Sequence, residues 1–282
     1  FGTFKGVNME KYSASMCVYK NDNPEHFKLA VDSILNQTCK PDEVVLVVDG
    51  PVTETLDEII NNCEKTNVFN VIRLTENLGH GNARRIGLEN CKNELVALMD
   101  ADDISVPDRF EKQLSVFEND KKVSVVGGNI SEFIDNPKNI VGRRIVPKKD
   151  AEIKEYIKKR CPMNQVTVMF KKSHVNNVGG YIDWYCEEDY YLWIRLALKG
   201  YKFANINETL VNVRVGKEMY SRRGGIKYFK SEANLQRYML RKKMITFPRY
   251  LINVTERLII QVLMPNKLRG FVFRKFARVN NE

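Results

Sequence analysis

Between Ala14 and Asp100 the chain repeats one pattern: a short apolar run ending at a defined edge, then an amphipathic stretch of helical period. The runs end at Tyr19, Asp49, Leu74 and Asp100, 25 to 30 residues apart. That interval is the length of a β-helix-β unit, so the pattern predicts a doubly wound, mostly parallel α/β sheet of Rossmann-like type. Strands are expected at Ala14 to Tyr19, Val44 to Val48, Val71 to Leu74 and Leu95 to Met99. Val44 to Val48 has no polar residue, as a parallel strand covered on both faces requires. Helices are expected at Pro24 to Asn36, Thr53 to Cys63 and Asn82 to Cys91. The second sets Leu56, Ile59, Ile60 and Cys63 on one face. Ligands of such sheets bind beyond the carboxyl ends of the strands, where Asp49 and Asp100 stand.

Several classes are excluded. A hydrophobic fraction of 43% supports a packed core, and no repeat of fixed period points to a solenoid. No apolar run approaches the ~20 residues that cross a bilayer. Phe1 to Lys11 lacks the apolar centre of a signal peptide, and residues 1–8, ahead of Met9, read as vector-derived. The six cysteines lie at least 22 residues apart, which excludes paired zinc ligands and predicts reduced, mostly buried thiols in a cytosolic protein. His26, His80 and His174 form no metal-type pair, and His80 is assigned a structural or surface role. Lys20 to Pro24, after the first strand, contains no glycine, so the dinucleotide fingerprint is missing, and there is no Walker A loop. In Leu78-Gly79-His80-Gly81-Asn82 the glycines are expected to serve a tight turn.

Two acidic clusters carry chemistry. Asp100, Asp102 and Asp103 directly follow a buried strand. Crowded carboxylates repel unless a cation compensates them, and oxygen-only ligands suit Mg²⁺ or Mn²⁺ shared with substrate phosphates. The plainer reading makes Asp103 or Ser105 the cap of a helix beginning near Pro107. Glu187, Glu188 and Asp189 precede an apolar helix with Leu192, Ile194, Leu196 and Ala197. A helix N-terminus favours acids on electrostatic grounds alone.

Taken in order, these segments resemble the family 2 glycosyltransferases of the GT-A fold, from about Tyr12 to about Arg223. The matching segments are Ser15 to Lys20, Val47-Val48-Asp49-Gly50, Asn77-Leu78-Gly79 with Ala83-Arg84-Arg85-Ile86-Gly87, Asp100-Ala101-Asp102-Asp103 with Pro107 and Arg109, and Gly179-Gly180-Tyr181 with Glu188 to Arg195. Val48, Pro51 and Arg85 depart from the usual family residues. The resemblance implies that Cys17, Tyr19 and Asp49 cradle the nucleotide base, most often uracil. It implies that Asn77 and Arg84 lie against the nucleotide, and that Asp100 touches the ribose or the metal shell. Asp102 would bind the metal, and Asp189 would be the general base of an inverting transfer from a UDP-sugar to a glycan hydroxyl. The family's frequent histidine near the metal has no counterpart after Leu210 to Arg214. Arg222 and Arg223 instead either close on the diphosphate or form a solvated basic loop. The Gln-x-x-Arg-Trp motif of processive members is also missing, so one sugar per encounter is expected.

The net charge of +10 is concentrated at one end: the last 42 residues hold ten Lys or Arg and two acids. Pro248 to Met264 reads as a helix with apolar residues on several faces, suited to docking on the domain or on a membrane. Residues 266–282 read as a basic amphipathic helix suited to an anionic membrane surface. The resulting division is a catalytic domain at 9–220 and a helical extension at 221–282. Within the domain, the nucleotide-sugar half spans about 9–130 and the acceptor half about 131–220. The resemblance implies a cytoplasmic, peripheral membrane enzyme acting on a lipid-diphosphate-linked glycan in capsule or O-antigen synthesis. A sugar nucleotidyltransferase would want a glycine-rich loop after the first strand. A nucleic-acid binder would leave both acidic clusters unexplained, so no nucleic-acid partner is expected.

Overall fold

The computed structural model describes residues 10–216 and 224–265. Its first part alternates as the sequence predicts: β1 (Tyr12–Val18), α1 (Pro24–Leu35), β2 (Glu43–Val48), α2 (Glu54–Glu64), β3 (Phe69–Arg73), α3 (His80–Asn90) and β4 (Leu95–Met99). The strands lie in the order β3-β2-β1-β4, all parallel.

Beyond β4 the sheet becomes mixed. β8 (Met169–Lys171) runs antiparallel to β4 and to β6 (Val123–Phe133). β9 (Lys202–Arg214) runs parallel to β6, and the two-residue β5 (Ile104–Ser105) closes that edge antiparallel to β9. β7 (Ile140–Arg144) hangs from β6. The remaining helices are α4 (Arg109–Asn119), α5 (Asp150–Tyr156), α6 (Lys172–Asn177), α7 (Glu188–Leu198), α8 (Ile226–Arg241) and α9 (Phe247–Leu258). A π-helical turn, Ile259–Leu263, continues α9.

Side chains alternate across the sheet and build two apolar layers. Val44, Leu46 and Val48 join Ala14, Met16 and Val18 against α1, α2 and α4 through Phe27, Ile34, Leu56, Ile60, Phe110 and Phe117. Val45 and Val47 face the other way, with Val96 and Leu98, against Ala83, Leu88, Leu192, Trp193, Leu235 and Met239. Each fully buried Val or Leu contributes about 1.5–3 kcal/mol, which is why the apolar runs set the strand positions. α3 lies unusually close to the sheet: a Cβ on Gly87 would stand 2.6 Å from Ser15 Oγ.

α8 and α9 dock on this second layer. Trp184 Nε1–H donates to the Ser231 carbonyl (3.3 Å), and the Ser231 hydroxyl donates to the Tyr185 carbonyl (2.6 Å). Asn253 donates to the Lys158 carbonyl (2.8 Å), Arg257 donates to the Lys159 carbonyl (2.8 Å), and Arg257 pairs with Glu232 at 3.1 Å. The first helix of the basic extension is thus docked on the domain. The amphipathic stretch 266–282 lies outside the described residues.

The plain capping reading of the first acidic cluster is corrected. α4 begins at Arg109 with Asp108 before it, and Asp103 instead accepts the Arg214 N–H at 2.8 Å, tying the end of β9 to the end of β4. The Ser105 hydroxyl makes no hydrogen bond among the described residues. Of the cysteines, Cys63 and Cys91 are buried, Cys17, Cys39 and Cys161 are half-buried and Cys186 is exposed, all as free thiols.

Candidate active site

The carboxyl ends of β1, β2 and β4 open into one cleft of about 600 Å³. Cys17, Tyr19, Asp49, Asn77, Asp100 and Asp102 all line it, together with Asp22, His26, Gly79 and His80. Six residues chosen from sequence, scattered over 86 positions, therefore share one surface.

Asp49 holds the rim. Its Oδ1 accepts the Leu78 N–H (2.7 Å), and its Oδ2 accepts the Gly79 N–H (3.1 Å) and Asn77 Nδ2–H (3.0 Å). The 77–79 loop is thereby pinned to the end of β2. Gly79 has φ +85° and starts α3, the tight turn expected of it. On the other side, Asp22 accepts the Tyr19 N–H (2.9 Å), and Asn23 caps α1 by accepting the Glu25 N–H (2.9 Å) and His26 N–H (3.2 Å). These bonds order the glycine-free loop after β1.

Arg84 lies beneath the cleft, almost fully buried, and its guanidinium is a two-way bridge. One nitrogen donates to Asp100 Oδ1 (2.9 Å), the other to Glu188 Oε1 (3.1 Å). Burial opposes its charge, but Asp100 first, then Tyr181, Glu188 and Cys17, outweigh that together and raise its pKa. Burial likewise opposes charge on Asp100, yet Arg84 holds its carboxyl below the ordinary value. Asp102, exposed at the mouth, is pushed up to about 6 by the protein atoms crowding its carboxyl and by Asp100 and Asp22. Asp22 is likewise pushed up to about 6, mainly by burial. The nearby Arg84 charge and burial push His80 down to about 4, so at neutral pH it is an uncharged imidazole. Burial pushes the Cys17 thiol up to about 12, which excludes a thiolate there at neutral pH.

The acceptor-side motif is knit together by Arg195, which donates to the carbonyls of Val178 (2.5 Å) and Gly180 (2.7 Å). Gly179 and Gly180, at φ +90° and +64°, make the turn that presents those carbonyls. Asp189 stands in the first turn of α7, its Oδ1 accepting the Tyr190 N–H (2.6 Å) and its Oδ2 4.0 Å from Cys161 Sγ. It does not line the cleft wall; the link to the cleft runs through its neighbour Glu188 and Arg84.

Asp22, His80 and Glu188 are site residues that sequence reasoning did not select. Asp22 sits in a loop without a motif, while Glu188 was visible only as one of the three consecutive acids Glu187, Glu188 and Asp189. Arg222 and Arg223 lie outside the described residues.

Among the described residues, no three His, Cys, Asp or Glu side chains are gathered into a preformed metal cage. Asp100 and Asp102 nonetheless fit a hard divalent cation: Mg²⁺-type sites use one or two carboxylates and draw the remaining oxygens from substrate phosphates and water.

Comparison with known proteins decides the family. The model of "Glycosyl transferase family 2" matches residues 13–178, more than half of the chain. The chain belongs to glycosyltransferase family 2. This glycosyltransferase is 36% identical over 270 residues to an Escherichia coli UDP-Gal:alpha-D-GlcNAc-diphosphoundecaprenol beta-1,3-galactosyltransferase, covering 95% of this chain and 97% of that one. It is 35% identical over 268 residues to the Erwinia amylovora amylovoran biosynthesis glycosyltransferase AmsE, covering 94% and 98%. Among solved structures, S. aureus TarS 1–349 in complex with UDP-GlcNAc superposes with a TM-score of 0.64 at 16% identity, covering 88% of this chain and 72% of that one. That likeness establishes the GT-A type fold.

Proposed function

We propose that this glycosyltransferase moves one sugar from a UDP-sugar to a hydroxyl of a lipid-diphosphate-linked glycan, with inversion and with Mn²⁺ or Mg²⁺ bound. The observation that carries the reading is the shared cleft, in which Asp49 with its pinned loop faces Asp100 and Asp102, joined by Arg84 to the acceptor-side helix. The full-length similarity to an enzyme named for UDP-Gal and a GlcNAc-diphosphoundecaprenol acceptor supports the donor and acceptor classes. UDP-galactose is therefore the first donor to try. The AmsE likeness supports a role in polysaccharide biosynthesis.

In this reading the base and ribose lie along Cys17, Tyr19, Asp49 and Asn77, and the diphosphate lies toward Asp102. Asp100 and Asp102 would hold the cation, which, when bound, offsets the charge gathering on the leaving diphosphate. Arg84 keeps Asp100 ionised and fixes its direction. The acceptor oxygen attacks the anomeric carbon from the face opposite the diphosphate. Its proton passes to the Asp189 carboxylate as the new carbon–oxygen bond forms, and the bond to the diphosphate breaks with its electron pair leaving on the nucleoside diphosphate. A base rather than a nucleophile means no covalent glycosyl-enzyme and an inverted anomeric centre.

The test is transfer from UDP-galactose to a GlcNAc-diphospho-lipid, with the product linkage read by NMR. Asp189→Asn should bind UDP as the wild type does and lose about 10²–10⁴ in kcat. Normal transfer by that variant, or a retained anomeric configuration, refutes the assignment. Among the described residues no helix is long and apolar enough to cross a membrane.

A further inference from the structure

α9 is inside out. Its buried positions are Asn253 and Arg257, and the π-helical turn adds Gln261, a polar stripe at four-residue spacing. Each member of the stripe is bonded into the domain: Asn253 to Lys158 and Gln236, Arg257 to Lys159 and Glu232, Gln261 to Glu232. The opposite arc holds Phe247, Leu251, Ile252, Leu258, Ile259 and Leu263, all exposed, with Leu263 67% and Phe247 60% accessible. At 100° per residue these six fall within one half of the helix circumference. A soluble helix buries its apolar arc; this one turns it to the outside.

Charge narrows what covers that arc. Exposed Arg241, Lys242 and Lys243 precede α9, and Arg249 lies at the border of the arc, whereas Glu256 is the only acid of α9 and its turn. In sequence, residues 266–282 then add Lys267, Arg269, Arg274, Lys275 and Arg278 against the single Glu282. A second copy of this chain would bring the same cations to face these. An anionic bilayer offers both an apolar phase for the leucines and isoleucines and phosphates for the cations. The docked side continues toward the acceptor motif: Glu232, held by Arg257 and Gln261, follows Ser231, whose hydroxyl donates to the Tyr185 carbonyl two residues ahead of Glu187, Glu188 and Asp189.

We propose that the outward apolar face of α9 and its π-helical turn lies in the interface of an anionic lipid bilayer. The helix then seats the acceptor side of the enzyme against the membrane. This deepens the reading of a lipid-linked acceptor and rests on it only for that last step. Side-on insertion of six apolar residues, with cations above the headgroups, leaves the catalytic cleft free.

The test uses the full chain and vesicles of phosphatidylcholine with about 30% phosphatidylglycerol. Wild type should co-sediment with them, and the double variant Leu251→Asp, Ile252→Asp should lose about tenfold or more of its partition coefficient at an unchanged unfolding temperature. In a separate variant, Ile252→Trp, the introduced indole should be quenched by phospholipid with brominated acyl chains. Unchanged vesicle binding by the double variant overturns the proposal, as does indole emission in the Ile252→Trp variant that is indifferent to brominated lipid. A wild-type dimer that becomes a monomer in the double variant without loss of vesicle binding also overturns it and assigns the face to a second copy. None of these readouts requires sugar transfer, and UDP titration requires no vesicles, so failure here and failure of the transferase reading are separable.

Discussion

Replacing Arg84 by Met keeps an unbranched apolar stem in place of the aliphatic part of the side chain and removes both ion pairs. In the wild type the guanidinium holds Asp100 at 2.9 Å and Glu188 at 3.1 Å, with side-chain exposures of 9% for Arg84, 32% for Asp100 and 15% for Glu188. Removing one partner of a fully buried pair costs about 3–5 kcal/mol, because the remaining charge is stranded. Asp100 reaches the cleft and can be rehydrated, and Glu188 can take up a proton, so about 2–3 kcal/mol is expected. For a domain of this size that lowers the unfolding temperature by about 4–6 °C, near 2 °C per kcal/mol. The sign with pH follows from Asp100. Its pKa is depressed in the folded protein, so its contribution is present above the unfolded value of about 4 and is lost as pH falls through the folded one. The gap between wild type and Arg84→Met in thermal unfolding should therefore be full at pH 7 and shrink below about pH 4. A gap under about half a kcal/mol at pH 7 would refute the bridge, since that is the scale of a surface substitution. A gap that widens on acidification would refute its electrostatic origin.

Two further outcomes rest on single contacts. Gly87→Ala puts a methyl group 2.6 Å from Ser15 Oγ and should destabilise by about 1–3 kcal/mol, measured by urea unfolding; Ser15→Ala in the same chain should restore part of the loss. Asp49→Ala removes the acceptor of three donors on Asn77, Leu78 and Gly79, so the loop should become protease-sensitive and UDP affinity should fall by at least about tenfold; a loop equally protected in both proteins would contradict its role.

The parallel half of the sheet was legible because each strand is an unbroken apolar run and each helix an amphipathic one. Val44 to Val48 could be placed within a residue, and with it Asp49. The other half was not. β6 is buried over its whole length, yet Ser124, Asn129, Ser131 and Glu132 interrupt its apolar pattern. Those polar groups are met by distant partners, such as Ser131 by Asn212 and the Asn129 side chain by the Val146 N–H, which no local window contains. Asp103 was misread for the same reason: its partner, the Arg214 N–H, lies 111 residues away. The spacing of α9 marked a helix with apolar residues on several faces, but burial of its polar side depended on carbonyls of Lys158 and Lys159. At the site, Cys17, Asp49, Asn77, Arg84, Asp100 and Asp102 carried family signatures. Asp22 and the neutral His80 emerge only from the way the β1 loop and the start of α3 close around the cleft.

The most direct test is calorimetric titration of UDP, GDP and ADP into wild type and Asp102→Asn, with Mn²⁺ and then with EDTA. The cleft as assigned predicts that wild type binds UDP in preference to GDP and ADP, that EDTA weakens the binding by at least about tenfold, and that Asp102→Asn is weak with or without metal. Binding of UDP by wild type that is indifferent to EDTA, or no nucleotide binding by the folded protein, would contradict the account.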